Sequence, residues 1–309
     1  MNLLWKCAAA LMLMPVALQA WAINVLACEP EWAALVKELA GDKAVVFSAT
    51  TALQNPHHIE ARPSLIARVR NADLVVCTGA ELEAGWLPLL LSQSGNARIQ
   101  AGRPGYFEAA QFVTRLEIPE RVDRSQGDVH AGGNPHIHTD PRNVAKVAAA
   151  LADRLAQIDA ANAAGYRSRT ADFLDRWQAA VRKWEQQAAP LKGMAVVAHH
   201  REWTYLAAWL GMRQVGYLEP KPGVPPTPSH LAGLLQTLQR DPAGAVVYSP
   251  YNDPRAAGFL SQRARIPALL LPYTVGGSEG AKDLFSLFDD TLARLLSARP
   301  SAKPSANPS

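Results

Sequence analysis

The chain has 309 residues, 49% hydrophobic and 19% charged, which is ordinary globular composition with length enough for two domains. A formal net charge of +4, with the basic residues scattered rather than striped, leaves no electrostatic footprint for nucleic acid. After the N-terminal segment no apolar run is long enough to cross a bilayer, which argues against a protein built from membrane spans.

Residues 1–22, "MNLLWKCAAALMLMPVALQAWA", combine one lysine, a mostly apolar run and Ala20-Trp21-Ala22 as a small-x-small cleavage site. That layout predicts a secretory signal peptide cleaved after Ala22. A retained anchor fits less well, because the run is short and Pro15 interrupts it. Cys7 has no lipobox-like context, so a lipoprotein is not expected. Export leaves Cys28 and Cys77, each ending a strand-like run, "INVLAC" and "ADLVVC". If those strands are parallel neighbours, their ends lie about 5 Å apart, within reach of a disulfide in an oxidising compartment. Two buried free thiols are the alternative.

The following segments alternate between the two periodicities. "INVLAC" and "KAVVFSA" read as strands, separated by a helix in which Trp32, Leu35, Val36 and Leu39 share a face before Gly41 stops it. Ser64 is placed to cap a helix carrying Leu65, Ile66 and Val69, and "ADLVVC" is a third strand. The stretch 102–133 is less regular and ends in a Gly/His-rich loop. Asp140 as N-cap with Pro141 in the first turn starts a helix with Val144, Val147, Leu151, Leu155 and Ile158 on one face. A second long helical pattern covers 163–188, where Tyr166, Phe173, Trp177 and Trp184 read as core packing. Strand and helix signals then alternate again from "MAVVAH" to a last helix near 282–297, with Ser229 expected to cap one of the helices. Strands alternating with helices imply parallel βαβ units. The expected fold is α/β, with two similar lobes, each a parallel sheet flanked by helices. The lobes are expected over 23–155 and 191–297, joined by a long connecting helix over 156–190. The tail 298–309, without apolar content, is expected to be disordered.

The chemistry lies in eight histidines, most of them in close pairs. His57 and His58 follow the second strand, His136 and His138 close the irregular loop, and His199 and His200 end the first strand of the second lobe. Ligands of open α/β sheets bind beyond the carboxyl ends of strands. A lone histidine there is usually packed or solvated, but three pairs from both lobes point to one shared metal. Three imidazoles favour zinc, whereas manganese or magnesium would call for more carboxylates.

"NPHHIEARPS" resembles the "DPHxYExxPS" signature of the cluster A-I metal-binding solute-binding proteins of zinc and manganese ABC importers. "GDVHAGGNPHIHTDP" resembles their second motif, "NPHxWLDP" after a variable His-bearing loop, and "VVAHHREWTYLAAWLGM" their third, roughly "FHxAFxYxxxxYGL". The likeness covers nearly all of the expected mature chain, with the motifs in order. The register of these motifs implies His57, His136 and His200 as metal ligands, with His58 in a variable place and His138 where the family carries Trp. Trp203 and Tyr205 set the third register on His200 rather than His199. Many family members add a carboxylate from the loop after the last strand. Here that loop reads "LLLPYTVGGSEGAKD", so water, Glu279, Asp283 or His138 are candidates for the fourth position. His130 is what remains of a longer His-rich loop and is an accessory candidate.

The resemblance implies a periplasmic, monomeric high-affinity receptor that captures Zn(II) as its transported ligand between two lobes. Its partners would be an inner-membrane ABC permease and its cytoplasmic ATPase. The competing expectation is a secreted zinc hydrolase with three histidines, a bound water and Glu60 as base. No HExxH or Gly-x-Ser-x-Gly sequence supports it. A zinc-dependent adhesin or chaperone would share the scaffold.

Overall fold

β1 (Ile23–Ala27) is one of two inner strands of the first sheet. It pairs in parallel with β2 (Ala44–Ser48) on one side and β3 (Leu74–Cys77) on the other, and β4 (Tyr106–Glu108) extends the sheet beyond β3. β3 is buried at every position, as expected of an unbroken apolar run in a parallel sheet covered on both faces. The crossovers are α1 (Pro30–Ala40), α2 (Pro63–Arg70) and α3 (Leu87–Ser94). The second sheet has the same strand order. β5 (Ala195–Ala198) lies between β6 (Arg213–Tyr217) and β7 (Ala245–Tyr248), and β8 (Ala268–Leu270) follows β7, all parallel. This computed structural model describes residues 22–121, 125 and 127–298. The expected signal peptide, save Ala22, and the expected disordered tail, save Ala298, lie outside the described residues.

Between the sheets run α4 (Pro141–Ile158) and the 26-residue α5 (Ala163–Ala188), the latter about 39 Å long at 1.5 Å per residue. Asp140 caps α4 through Arg142 N–H, with Pro141 in the first turn, as the sequence predicts. Two other caps differ from expectation. Pro63 and Pro228 occupy the first positions of α2 and α7 (Pro228–Arg240), so the caps are Arg62 and Thr227 rather than Ser64 and Ser229. A proline, lacking the N–H that a helix start leaves unpaired, fixes that position and pushes the following serine inside. The remaining helices are α6 (Thr204–Leu210), α8 (Pro254–Ala264) and α9 (Leu284–Ser297). Among the described residues, no helix is long and apolar enough to cross a membrane.

One continuous core joins the lobes. It includes Val25 and Leu74 of the first sheet, Val196 and Ala245 of the second, and Tyr166, Phe173, Trp177 and Trp184 of α5. Trp177 and Trp184 meet edge to face with ring centroids 5.2 Å apart, and the indole N–H of Trp177 is satisfied by the Pro141 carbonyl at 2.8 Å. Cys28 and Cys77, at the ends of neighbouring strands, form a disulfide with Cα atoms 4.8 Å apart. It closes a 49-residue separation, which chain-entropy arguments value at about 4 kcal/mol. The Cys28→Ala, Cys77→Ala double variant is therefore expected to lose on the order of 4 kcal/mol of unfolding free energy, read by urea titration; an unchanged midpoint would contradict this.

Candidate metal centre

Three loops at strand ends bring three imidazoles together. His57 follows β2, His136 precedes α4 and His200 follows β5. Two of them stand in the same tripeptide, Asn-Pro-His, and the repeat has a structural reason. Asn55 Oδ1 accepts the backbone N–H of His57 at 3.0 Å, and Asn134 Oδ1 accepts that of His136 at 2.9 Å. Each asparagine thus closes a side-chain turn onto the residue two positions on, while the proline between fixes the backbone.

The ring centroids are 5.3 Å apart for His57 and His136, 5.4 Å for His57 and His200, and 5.4 Å for His136 and His200. One ring nitrogen from each lies within 4.8 Å of the other two, and all three side chains are buried. Each ring is gripped from behind through Nδ1. His57 Nδ1 meets Asn55 Oδ1 at 2.8 Å, His136 Nδ1 meets the Tyr273 hydroxyl at 2.7 Å, and His200 Nδ1 meets a Glu219 carboxylate oxygen at 2.7 Å. An amide oxygen and a carboxylate only accept, so Nδ1 of His57 and of His200 carries a proton, and in the neutral ring Nε2 keeps a lone pair; the Tyr273 hydroxyl can donate to His136 Nδ1 or accept from it. The Nε2 atoms of His57 and His136 are buried without a partner. Unsatisfied buried nitrogens cost free energy unless something binds them. Tetrahedral zinc with nitrogens at about 2.0–2.1 Å would hold them about 3.4 Å apart, so each imidazole need close by no more than about 1 Å.

Electrostatics divide the trio. Burial, reinforced by the charges of the neighbouring histidines, holds His57 and His136 well below the ordinary histidine range. Burial also opposes the charge on His200, but the Glu219 hydrogen bond and the Glu202 and Glu219 carboxylates outweigh it and raise His200. His57 and His136 are thus biased towards the neutral imidazole, and His200 towards the protonated one.

The structure separates the paired histidines. His58 is exposed, 3.7 Å from the Asp128 carboxylate. His199 faces a different cavity beside Tyr251 and Asp253. His138 is buried, with Nε2 2.9 Å from the Tyr273 carbonyl oxygen and Nδ1 3.1 Å from Glu31 Oε1 without hydrogen-bond geometry, and it lies outside the set of mutually close donors. Glu279 is exposed, and Asp283 is the N-cap of α9, where it accepts from Ser286. Neither reaches the trio. Glu60, the base of the hydrolase reading, is exposed with no bond to the site. His130 does approach: its ring stacks on His57 with centroids 5.3 Å apart. A second cluster, Cys28, Cys77 and Glu83, has its sulfurs joined in the disulfide and offers no thiolate. Sequence reasoning missed Asn55, Tyr273 and Glu219. Only the repeated "NPH" could have signalled one of them.

The family model described as "Zinc-uptake complex component A periplasmic" matches residues 25–298. The chain belongs to that family. A similar curated protein, the zinc-binding lipoprotein AdcA of Streptococcus pneumoniae, is 21% identical over 88% of this chain and 55% of its own length. The chain thus spans about half of that relative. The manganese ABC transporter substrate-binding lipoprotein PsaA of Streptococcus pneumoniae is 23% identical over 78% of this chain and 76% of its own. Among solved structures, the crystal structure of ZnuA superposes with a TM-score of 0.75 at 21% identity, over 90% of this chain and all of that one. Two parallel four-stranded sheets flanked by helices, with a long helix between the lobes, are therefore the family fold.

In the metal-free protein, the His200 imidazolium is expected to persist to higher pH than those of His57 and His136. Glu219→Gln should lower the His200 pKa, because burial then prevails. Nitrogen-15 NMR titration reads both; His57 titrating above His200 would contradict the assignment.

Proposed function

We propose that the chain is an exported zinc receptor of an ABC importer, binding Zn(II) between its lobes through Nε2 of His57, His136 and His200. The observation that carries this reading is the convergence of three imidazoles whose Nδ1 atoms are all occupied from behind, turning Nε2 inward. An acceptor behind each ligating imidazole fixes its orientation and raises its basicity. The relatives bear both zinc and manganese names, so selectivity rests on the donors. Neutral nitrogens suit zinc, and manganese prefers carboxylate and carbonyl oxygen. The family is one of uptake components, and its members are binding proteins rather than enzymes. The cargo would pass from a monomeric receptor to a permease in the inner membrane driven by a cytoplasmic ATPase. On the same reading the signal peptide leaves after Ala22, so that Ile23, the first residue of β1, opens the mature chain in the periplasm.

Isothermal calorimetry tests the assignment. His57→Ala, His136→Ala and His200→Ala are each expected to weaken zinc binding by at least about a hundredfold, beyond the 10–100-fold usual for groups behind a ligand. If all three leave affinity untouched, zinc is not held there. Because His57 and His136 are lowered and His200 is raised, one proton should compete with zinc as pH falls from 8 to 6. Affinity should then drop about tenfold per pH unit below the raised His200 value, and more steeply only in stronger acid. A three-proton slope near neutrality would contradict the charge division of the trio.

A further inference from the structure

Two residues beyond His200, where the motif that this stretch resembles carries Ala, the chain carries Glu202. Its side chain is fully buried, at 0% exposure. One carboxylate oxygen, Oε1, accepts the Ser249 hydroxyl at 2.9 Å, and the other, Oε2, is buried with no partner. Among the described residues no lysine or arginine forms an ion pair with it. Its neighbour Arg201 turns away, to Glu117 at 3.1 Å. A buried carboxylate without a partner is strongly unfavourable unless a cation answers it.

Glu202 is set between two ligands of the trio. It sits in the short turn Arg201–Trp203, which leads from His200 into α6. Thr139 Oγ1 donates to the His136 carbonyl at 2.9 Å and lies 3.5 Å from the Glu202 carbonyl, so the same turn rests against the loop of His136. Burial raises the Glu202 carboxyl, and the charge of His200 is the foremost influence drawing it back down. The carboxylate therefore feels the charge of the metal centre, yet it stands outside the set of mutually close donors.

Zinc brings two positive charges, and three neutral imidazoles cancel neither. Glu219, behind His200, supplies one negative charge. The loop after β8 supplies none to the trio, because Glu279 is exposed and Asp283 caps α9. Resting on the three-histidine reading above, we propose that Glu202 supplies the second negative charge, holding zinc electrostatically without ligating it. Charges act on one another more strongly in a protein interior than in water, so a carboxylate beyond bonding distance still favours the ion. The metal-free protein bears the unfavourable burial of that carboxylate, and the bound cation relieves it.

Two variants of the full-length mature protein separate charge from shape. Glu202→Gln keeps the side-chain outline and an acceptor for Ser249 but removes the charge, whereas Glu202→Asp keeps the charge on a shorter chain. Calorimetry is expected to show zinc affinity reduced at least about tenfold in Glu202→Gln, the lower bound for groups behind a ligand, and reduced less in Glu202→Asp. Zinc X-ray absorption should show the same neighbours in Glu202→Gln as in the wild type. Urea titration of the metal-free Glu202→Gln protein should give a midpoint no lower than that of the wild type, since an unpartnered buried charge has gone. Unchanged affinity in Glu202→Gln, an equal loss in Glu202→Asp, altered zinc neighbours or a lowered midpoint would each overturn the proposal. If Glu202→Gln binds as the wild type does while His57→Ala abolishes binding, only the role of Glu202 is wrong. If His57→Ala also binds normally, the three-histidine reading fails with it.

Discussion

The shared core between the two sheets is the constraint on which the site depends. His57, His136 and His200 come from segments far apart in sequence, and nothing local holds their rings 5.3–5.4 Å apart. Only a rigid relation between the sheets does so, and the aromatic face of α5 supplies it by packing into one cluster with residues of both. Close-packed interiors transmit displacement rather than absorb it. A cavity at α5 would therefore be felt at the imidazoles.

Inside that frame the site is pre-oriented by acceptors of three different kinds. An amide oxygen, a phenol hydroxyl and a carboxylate each occupy one Nδ1, and they differ in how strongly they favour a charged ring. The carboxylate stands behind the histidine whose pKa rises, whereas the neutral acceptors stand behind the two whose pKa values fall. Three like side chains thus differ in their readiness to carry a proton.

Much of the fold was legible in the chain because parallel strands buried on both faces read as unbroken apolar runs. "LVVC" and "AVVA" are inner strands where the sequence put them, and the 163–188 pattern is one helix. β4 was not read, since three residues carry too little period. The caps at Ser64 and Ser229 were misplaced because the proline before each takes the first turn. The choice among paired histidines could be made from motif register, and the structure gives it physical content in which nitrogens are free. What stayed hidden is separated in sequence from what it serves. Glu219 lies 19 residues from His200, and Tyr273 lies 137 residues from His136. Neither residue type signals a role until folding sets it behind a ring.

Tyr273 has one further consequence. Its hydroxyl meets His136 and its carbonyl meets His138, so a single residue after β8 grips both histidines of the loop before α4. Asn55 and Glu219 each travel with the lobe of the ring they hold, but the Tyr273 contacts cross from one lobe to the other. Any parting of the lobes strips His136 of its acceptor and unseats His138 in the same movement. Tyr273 is in that sense a tie: the loop that carries His136 and His138 and the segment after β8 keep their places together or lose both contacts.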